Sequence, residues 1–227
     1  MASPPVPITG EIHQVGGYEL TAPEDAAIYL VNFGGHAALI DAGGGRAVDR
    51  LFANIRAAGV EPAQIEYLFL THCHFDHTGG ARAVRERLGC PVVAHQLDAP
   101  YIEQGDSVVT AAAWYGAMLS PCVADRKLSG AEEDIDLGGR TLTAIHVPGH
   151  SPGSVAYLTV SEGQKVVFAQ DVHGPLHPDL LSDRTDYLAS LELLLDLDAD
   201  ILCEGHYGVF RGKRAVNGFI RSFLTYP

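Results

Sequence analysis

Positive charge is scarce in this sequence. Its 227 residues hold 15 Lys and Arg against 28 Asp and Glu, a formal net charge of -13. A face that binds phosphate backbones needs clustered cations, and these 15 are scattered, so nucleic acid is not an expected partner. Cysteine is scarce too: Cys73, Cys90, Cys122 and Cys203 form no CxxC pair and no disulfide-framework spacing. No apolar run approaches the roughly 18 residues a membrane span requires. Met1-Ala2-Ser3-Pro4-Pro5-Val6-Pro7 has neither the basic nor the apolar segment of a secretory signal. These absences together predict a cytoplasmic protein with free thiols and no membrane partner. No Pro/Ser-rich linker or charge block divides the chain, so one domain over residues 1–227 is expected.

What the sequence does hold is a crowd of metal-ligand side chains. Thr71-His72-Cys73-His74-Phe75-Asp76-His77-Thr78-Gly79-Gly80 packs three imidazoles and a carboxylate into six residues. Such a group is not needed to build a core, and burying it costs free energy unless something binds it. A metal site is the working expectation.

The surrounding pattern alternates sheet and helix. Residues 11–15, 27–31 and 36–41 read as strands, the last two joined through Gly34-Gly35 as a hairpin. Val48, Leu51, Phe52 and Ile55 fall at helical spacing before Gly59. Residues 65–70 form an apolar strand, 81–88 a helix stopped by Gly89, and 92–95 a short strand. Residues 96–123 are the least patterned; two helical pieces carrying Tyr101, Trp114, Tyr115 and Met118 are expected there. Strands are predicted again at 141–146, 154–160, 165–169 and 200–203. Helices are predicted around Tyr187, Leu191, Leu194 and Leu195 and over 213–224.

Ligand-capable residues recur where these strands end. Asp41 ends the 36–41 strand, the histidine cluster follows 65–70, His150 lies in Pro148-Gly149-His150-Ser151-Pro152-Gly153, Asp171 follows 165–169 and His206 follows 200–203. Strand ends in one layer converge in space while remote in sequence.

With those residues in view, the chain resembles the metallo-β-lactamase superfamily. The His-x-His-x-Asp-His cluster, a later Pro-Gly-His, a strand-ending Asp and a final Gly-His follow in the family's order across residues 41–206. The resemblance implies an α/β fold, an αββα sandwich, with two divalent ions along one edge. It implies that His72, His74 and His150 hold one ion, that Asp76, His77 and His206 hold the other, and that Asp171 bridges them. Zinc is the first choice, with iron or manganese also suited to such donors.

Asp76 and Asp171 are therefore the expected catalytic carboxylates; helix capping is the plainer role for Asp76 and turn formation for Asp171. Asp41 is expected to orient the histidine loop through hydrogen bonds rather than to ligate, with a plain turn role before Gly43 the alternative. Cys73 points away from its neighbours and packs as a small apolar group. His13, His36, His95, His146 and His177 are read as structural or exposed, with His177 also a secondary candidate for the substrate face. Trp114, Tyr115, His173 and Tyr207 are candidate walls of a substrate pocket, with core packing the alternative for the aromatic segment.

Among relatives of the resembled family, the familiar secreted β-lactamases use cysteine where this chain has Asp171, so antibiotic hydrolysis is not the expected role. Flavodiiron-type reductases need a flavin domain. RNA-processing members carry basic segments that this acidic sequence lacks. Glyoxalase II, acyl-homoserine lactonases and persulfide dioxygenases remain. Only 21 residues follow His206, so glyoxalase II's glutathione-binding extension is not expected. Arg211, Lys213 and Arg214 are read as a solvated face or a hold for an anionic tail. The preferred function is hydrolysis of an ester-type bond (thioester, lactone or phosphoester) in a small molecule, by a hydroxide shared between two ions. The alternatives are a mononuclear iron persulfide dioxygenase and a metal-binding protein without catalysis. A homodimer is a family-level expectation.

Overall fold

The alternating apolar runs become strands, and the faces they bury sort them into two sheets. The computed structural model describes residues 4–169 and 171–225. The strands of the first sheet are β1 (Val6–Pro7), β2 (Ile12–Gly16), β3 (Ile28–Phe33), β4 (His36–Ile40), β5 (Ile65–Phe69), β6 (Val92–His95) and β7 (Arg126–Leu128), which lie side by side in that order. β1 to β4 run antiparallel. β4 to β7 are parallel, and their crossovers carry α1 (Val48–Ala57), α2 (Phe75–Thr78), α3 (Ala81–Leu88) and α4 (Ala99–Gln104).

The second sheet holds β8 (Glu132–Leu137), β9 (Arg140–His146), β10 (Val155–Ser161), β11 (Gln164–Phe168), β12 (Ile201–Cys203) and β13 (Val209–Arg211), in the order β13-β12-β11-β10-β9-β8. Only β11 and β12 pair in parallel, joined across α5 (Arg184–Asp196), and α6 (Lys213–Leu224) ends the chain.

Period two gives each strand two faces, and both faces are buried in the central strands. Inward faces of the two sheets meet through Tyr29, Phe69, Tyr157 and Phe168. Ring centroids lie 5.4 Å apart for Tyr29 and Phe168 and 5.0 Å for Phe69 and Tyr157. The outer face of the first sheet is covered by Leu51, Phe52, Ile55, Val84 and Ile102 from α1, α3 and α4. Tyr187, Leu191, Leu194, Val216 and Ile220 from α5 and α6 cover the second. The result is the αββα sandwich. Among the described residues, no helix is long and apolar enough to cross a membrane.

Tyr157 links this core to the functional edge. Its hydroxyl, buried between the sheets, donates to Leu70 O at 3.0 Å, immediately before the histidine loop. Tyr157→Phe keeps the ring and removes one buried hydrogen bond, worth about 1 kcal/mol. A thermal melt should show a midpoint lower by about 2–4 °C; an unchanged midpoint would show that the bond contributes nothing net.

The expected elements recur with shifts of one or two residues at their ends. Four strands were not foreseen: β1, β7, β8 and β13. The segment from 96 to 123 does form two helical pieces, α4 with Tyr101 and a 3-10 turn at Ala112–Tyr115 with Trp114 and Tyr115; Met118 lies beyond both.

Candidate metal centre

Five strands deliver polar side chains to one edge of the sandwich, each just past its C-terminal end: β4 brings Asp41, β5 the 71–78 loop, β9 His150, β11 Asp171 and β12 His206. Asp41 and Asp171 both leave their strands in the left-handed region, at φ 65° and 55°. That region is costly for most side chains but tolerable for aspartate, and it turns each carboxylate back toward the edge.

After β5 the chain bends through residues 71–73, is extended at His74, at φ -69° and ψ 149°, then winds α2 as a single turn. Phe75 N–H donates to Thr110 O at 2.7 Å, pinning the start of that turn to the segment after α4. Gly79 and Gly80 follow because no side chain fits there. A Cβ on Gly80 would lie 2.3 Å from Ala42 O, and one on Gly79 would lie 2.6 Å from Gly44 O. The pair lets the loop after Asp41 close against α2, where Ala42 N–H donates to His77 O at 2.8 Å.

Asp41, wholly buried, accepts the Thr71 amide at 2.9 Å, the Thr71 hydroxyl at 2.8 Å and His77 Nδ1–H at 2.8 Å. Because the Thr71 hydroxyl proton is committed to Asp41, its oxygen accepts from His72 Nδ1, 3.1 Å away. His150 Nδ1 donates to Pro175 O at 3.0 Å. Each bond fixes the ring's orientation, leaving the Nε2 atoms of His72, His77 and His150 to face inward. Cys73 is buried with its thiol toward Val109 O, away from these nitrogens.

The inward atoms form two main groups and a third that overlaps them. His72, His74, His150 and Asp171 have donor atoms mutually within 4.8 Å, so do Asp76, His77 and His206, and so do Asp171, His173 and His206. Asp171 touches both main groups with different oxygens. Its Oδ2 lies 3.2 Å from His150 Nε2 and 3.7 Å from His72 Nε2, and its Oδ1 lies 3.2 Å from both His77 Nε2 and His206 Nε2. Asp76 Oδ2 is 3.1 Å from His206 Nε2 and 3.6 Å from His77 Nε2.

Among the described residues, the Nε2 atoms of His72, His74, His77 and His150 and Asp171 Oδ1 are buried without a hydrogen-bond partner. Buried polar atoms are rarely left so. Imidazole nitrogens and carboxylate oxygens with no thiolate among them fit zinc, and iron or manganese as well.

The two ends of the site differ electrically. Burial drives His74 down to about 3, with His150 adding to the effect, and burial with help from His77 and His74 drives His72 well below the ordinary value. Neutral imidazoles are the form that binds cations. At the other end burial opposes charge on His77 and His206, but the carboxylates prevail. Asp171, Asp76 and Asp41 lift His77 well up, and Asp171 and Asp76 lift His206 to about 10. Burial likewise opposes charge on Asp171, yet His77, His150 and His206 hold it well below the usual carboxylate range. Protons on His77 and His206 offset negative charge that divalent ions would offset in their place.

A cavity of about 220 Å³ opens over both groups, lined by His74, Asp76, His150, Asp171 and His206 and walled by Ala111, Trp114, Tyr115, His173, Pro175 and Leu180. A larger one of about 370 Å³ adjoins it through Tyr115 and His206 and carries Glu19, Glu24 and Asp25. Neither is lined by lysine or arginine.

Trp114, Tyr115 and His173 thus line this cavity, whereas Tyr101 packs against the core under the helices of the first sheet. Tyr207 does not line the cavity over the donors. It is 61% exposed, and its ring lies between His173 and Phe219 at 4.9 and 5.8 Å, placing it on the outer rim. His177 stands against the edge of Trp114 at 5.3 Å. Arg211 donates to Ile8 O and Lys213 pairs with Asp198; neither these two nor Arg214 line either cavity.

Glu204 escaped the sequence reading. It is wholly buried, accepts the His206 and Tyr207 amides at 2.6 and 2.8 Å, and accepts His173 Nδ1–H at 2.8 Å. One carboxylate therefore shapes the His206 loop and aims the His173 ring. A glutamate between the apolar Ile201-Leu202-Cys203 and Gly205-His206 was the signal to find it by, since an acid inside a buried run must serve hydrogen bonds.

The family model described as Metallo-beta-lactamase superfamily matches residues 22–206. A probable metallo-hydrolase of Methanocaldococcus jannaschii is 32% identical over 120 residues, 53% of this chain and 56% of its own length. A hydroxyacylglutathione hydrolase of Anaeromyxobacter dehalogenans is 38% identical over 132 residues, 58% and 41% respectively. The acyl-coenzyme A thioesterase MBLAC2 of Gallus gallus is 30% identical over 166 residues, covering 63% and 57%. The chain thus spans about half the length of the curated relatives it matches. In fold it is similar to the Rm3 metallo-beta-lactamase, with a TM-score of 0.80, 22% identity, and 98% and 92% of the two chains covered.

Proposed function

This chain belongs to the metallo-β-lactamase superfamily, whose members are mostly hydrolases, and on that premise we propose that it is a two-ion hydrolase of a small thioester or lactone. The observation that carries the reading is Asp171, one oxygen toward each donor group. His72, His74 and His150 would hold one ion, Asp76, His77 and His206 the other, with Asp171 shared and zinc the favoured metal. Bound there, divalent ions supply Lewis-acid polarisation of a carbonyl and bring the pKa of water down to about 7.

The chain's own residues supply position and exclusion. Asp41 and Pro175 O keep the imidazoles of His77 and His150 turned inward. Trp114, Tyr115, Ala111 and Leu180 give the cavity an apolar wall suited to an acyl group and limit access of bulk water. The names of two relatives, a hydrolase of hydroxyacylglutathione and an acyl-coenzyme A thioesterase, support a thioester. The lack of lysine and arginine in either cavity favours an acyl ester over a phosphoester.

The test is to purify the protein without added metal, count zinc, iron and manganese per chain, and assay a panel of thioesters and lactones beside oxygen uptake with glutathione persulfide. Two ions per chain with ester turnover is the expected outcome. A single iron with oxygen consumption and no ester turnover would replace the hydrolase with a dioxygenase.

A further inference from the structure

His72 and His74 leave the first sheet after β5, whereas His150 leaves the second between β9 and β10. The two loops must be held in register, because a site loose by about 1 Å fails. One side chain spans them. Asp98, only 1% exposed, stands at the N-cap of α4, yet its carboxylate makes no bond to that helix's amides. Instead Oδ2 accepts Cys73 N–H at 2.9 Å and the Ser151 hydroxyl at 2.6 Å, and Oδ1 accepts Gly153 N–H at 2.7 Å.

Cys73 lies between His72 and His74, and Ser151 follows His150. The Ser154 hydroxyl braces the second loop, lying 2.8 Å from the Ser151 hydroxyl and accepting the Ser151 amide at 3.1 Å. A Cβ on Gly153 would stand 2.7 Å from the Asp98 carboxylate, so the loop closes only because residue 153 has no side chain.

We propose that Asp98 is a positioning residue for the three-histidine ion, clamping the loop from each sheet so that His72, His74 and His150 meet. This rests on the two-ion reading above. The role needs a carboxylate, since three donors converge on its two oxygens from opposite sides. Asparagine has nearly the same shape but serves donors at one oxygen only, and it turns its own N–H groups against the rest.

Zinc titrated into metal-free protein tests the clamp, with circular dichroism in chelator confirming the fold of each variant. Asp98→Asn should weaken one ion by about 10–100-fold and leave the other within about twofold. The affected ion is identified by a double-mutant cycle. Asp98→Asn should add nothing in a His150→Ala background and act in full in a His206→Ala background. Gly153→Ala, which intrudes on the carboxylate without altering it, should weaken the same ion.

Ser151→Ala replaces Asp98→Asn if the latter does not fold, and the same selectivity is required of it. Both ions unchanged, both weakened alike, or full additivity with His150→Ala would overturn the proposal. A wild type that binds one ion would instead sink the two-ion reading, and Asp98 would then stand or fall on whether that ion weakens.

Discussion

Asp171→Ala is expected to lose turnover by more than ~10³-fold, about 4 kcal/mol of transition-state stabilisation, with the fold intact. Asp171 is the one described side chain whose two oxygens face different donor groups, at 3.2 Å from His150 on one side and from His77 and His206 on the other. Removing it leaves six donors in two groups that share no ligand. On the proposed two-ion reading, substrate polarisation and attack need both groups at a fixed separation and lose their common reference. The fold should persist because Asp171 follows β11 and holds no sheet together, while His77 keeps Asp41 and Asp76 as counter-charges. Steady-state kinetics, circular dichroism and metal content of the variant check this. Near-normal turnover would remove Asp171 from the chemistry.

Asp41→Ala should instead be the severest change for stability. Three donors, the Thr71 amide, the Thr71 hydroxyl and His77 Nδ1–H, converge on a carboxylate with no solvent access. Alanine strands all three and must also adopt φ 65°, which an aspartate tolerates better. Breaking a buried ionic pair from one side costs about 3–5 kcal/mol, which for a chain of this size lowers the melting midpoint by on the order of 10 °C. The melt belongs in chelator, so that lost metal does not contribute. Asp41→Asn keeps the shape, the tolerance of positive φ and one acceptor, and should lose less. A midpoint within about 2 °C of wild type for the alanine variant would show that Asp41 is not the anchor of the histidine loop.

Much of this edge was legible in the sequence because the donors advertise themselves. Imidazoles at 72, 74 and 77 have no packing reason to cluster, and Asp41, His150, Asp171 and His206 each interrupt an apolar run at its end. Asp98 was invisible for a related reason, whereas Glu204 was marked by the apolar run around it. Asp98 serves partners brought near only by folding, and nothing local marks an acid that will accept Cys73 and Ser151 from two different sheets. The strands divide the same way. Central ones such as β5 and β10 carry apolar residues on both faces and announce themselves. The four that went unread, β1, β7, β8 and β13, are all sheet edges. β8 carries Glu132, Glu133, Asp134 and Asp136 around only two buried side chains, Ile135 and Leu137. In β7, Arg126-Lys127-Leu128 leaves too short a run for alternation to register.

Those same edges bear on whether other chains can add to the sheets. An open strand edge is a template on which a second polypeptide can add itself. Here β1 spans two residues and ends in a proline, β7 and β13 span three residues and carry basic side chains, and the longest, β8, is lined with carboxylates. Among the described residues, neither sheet therefore offers a long uncharged edge from which aggregation could spread.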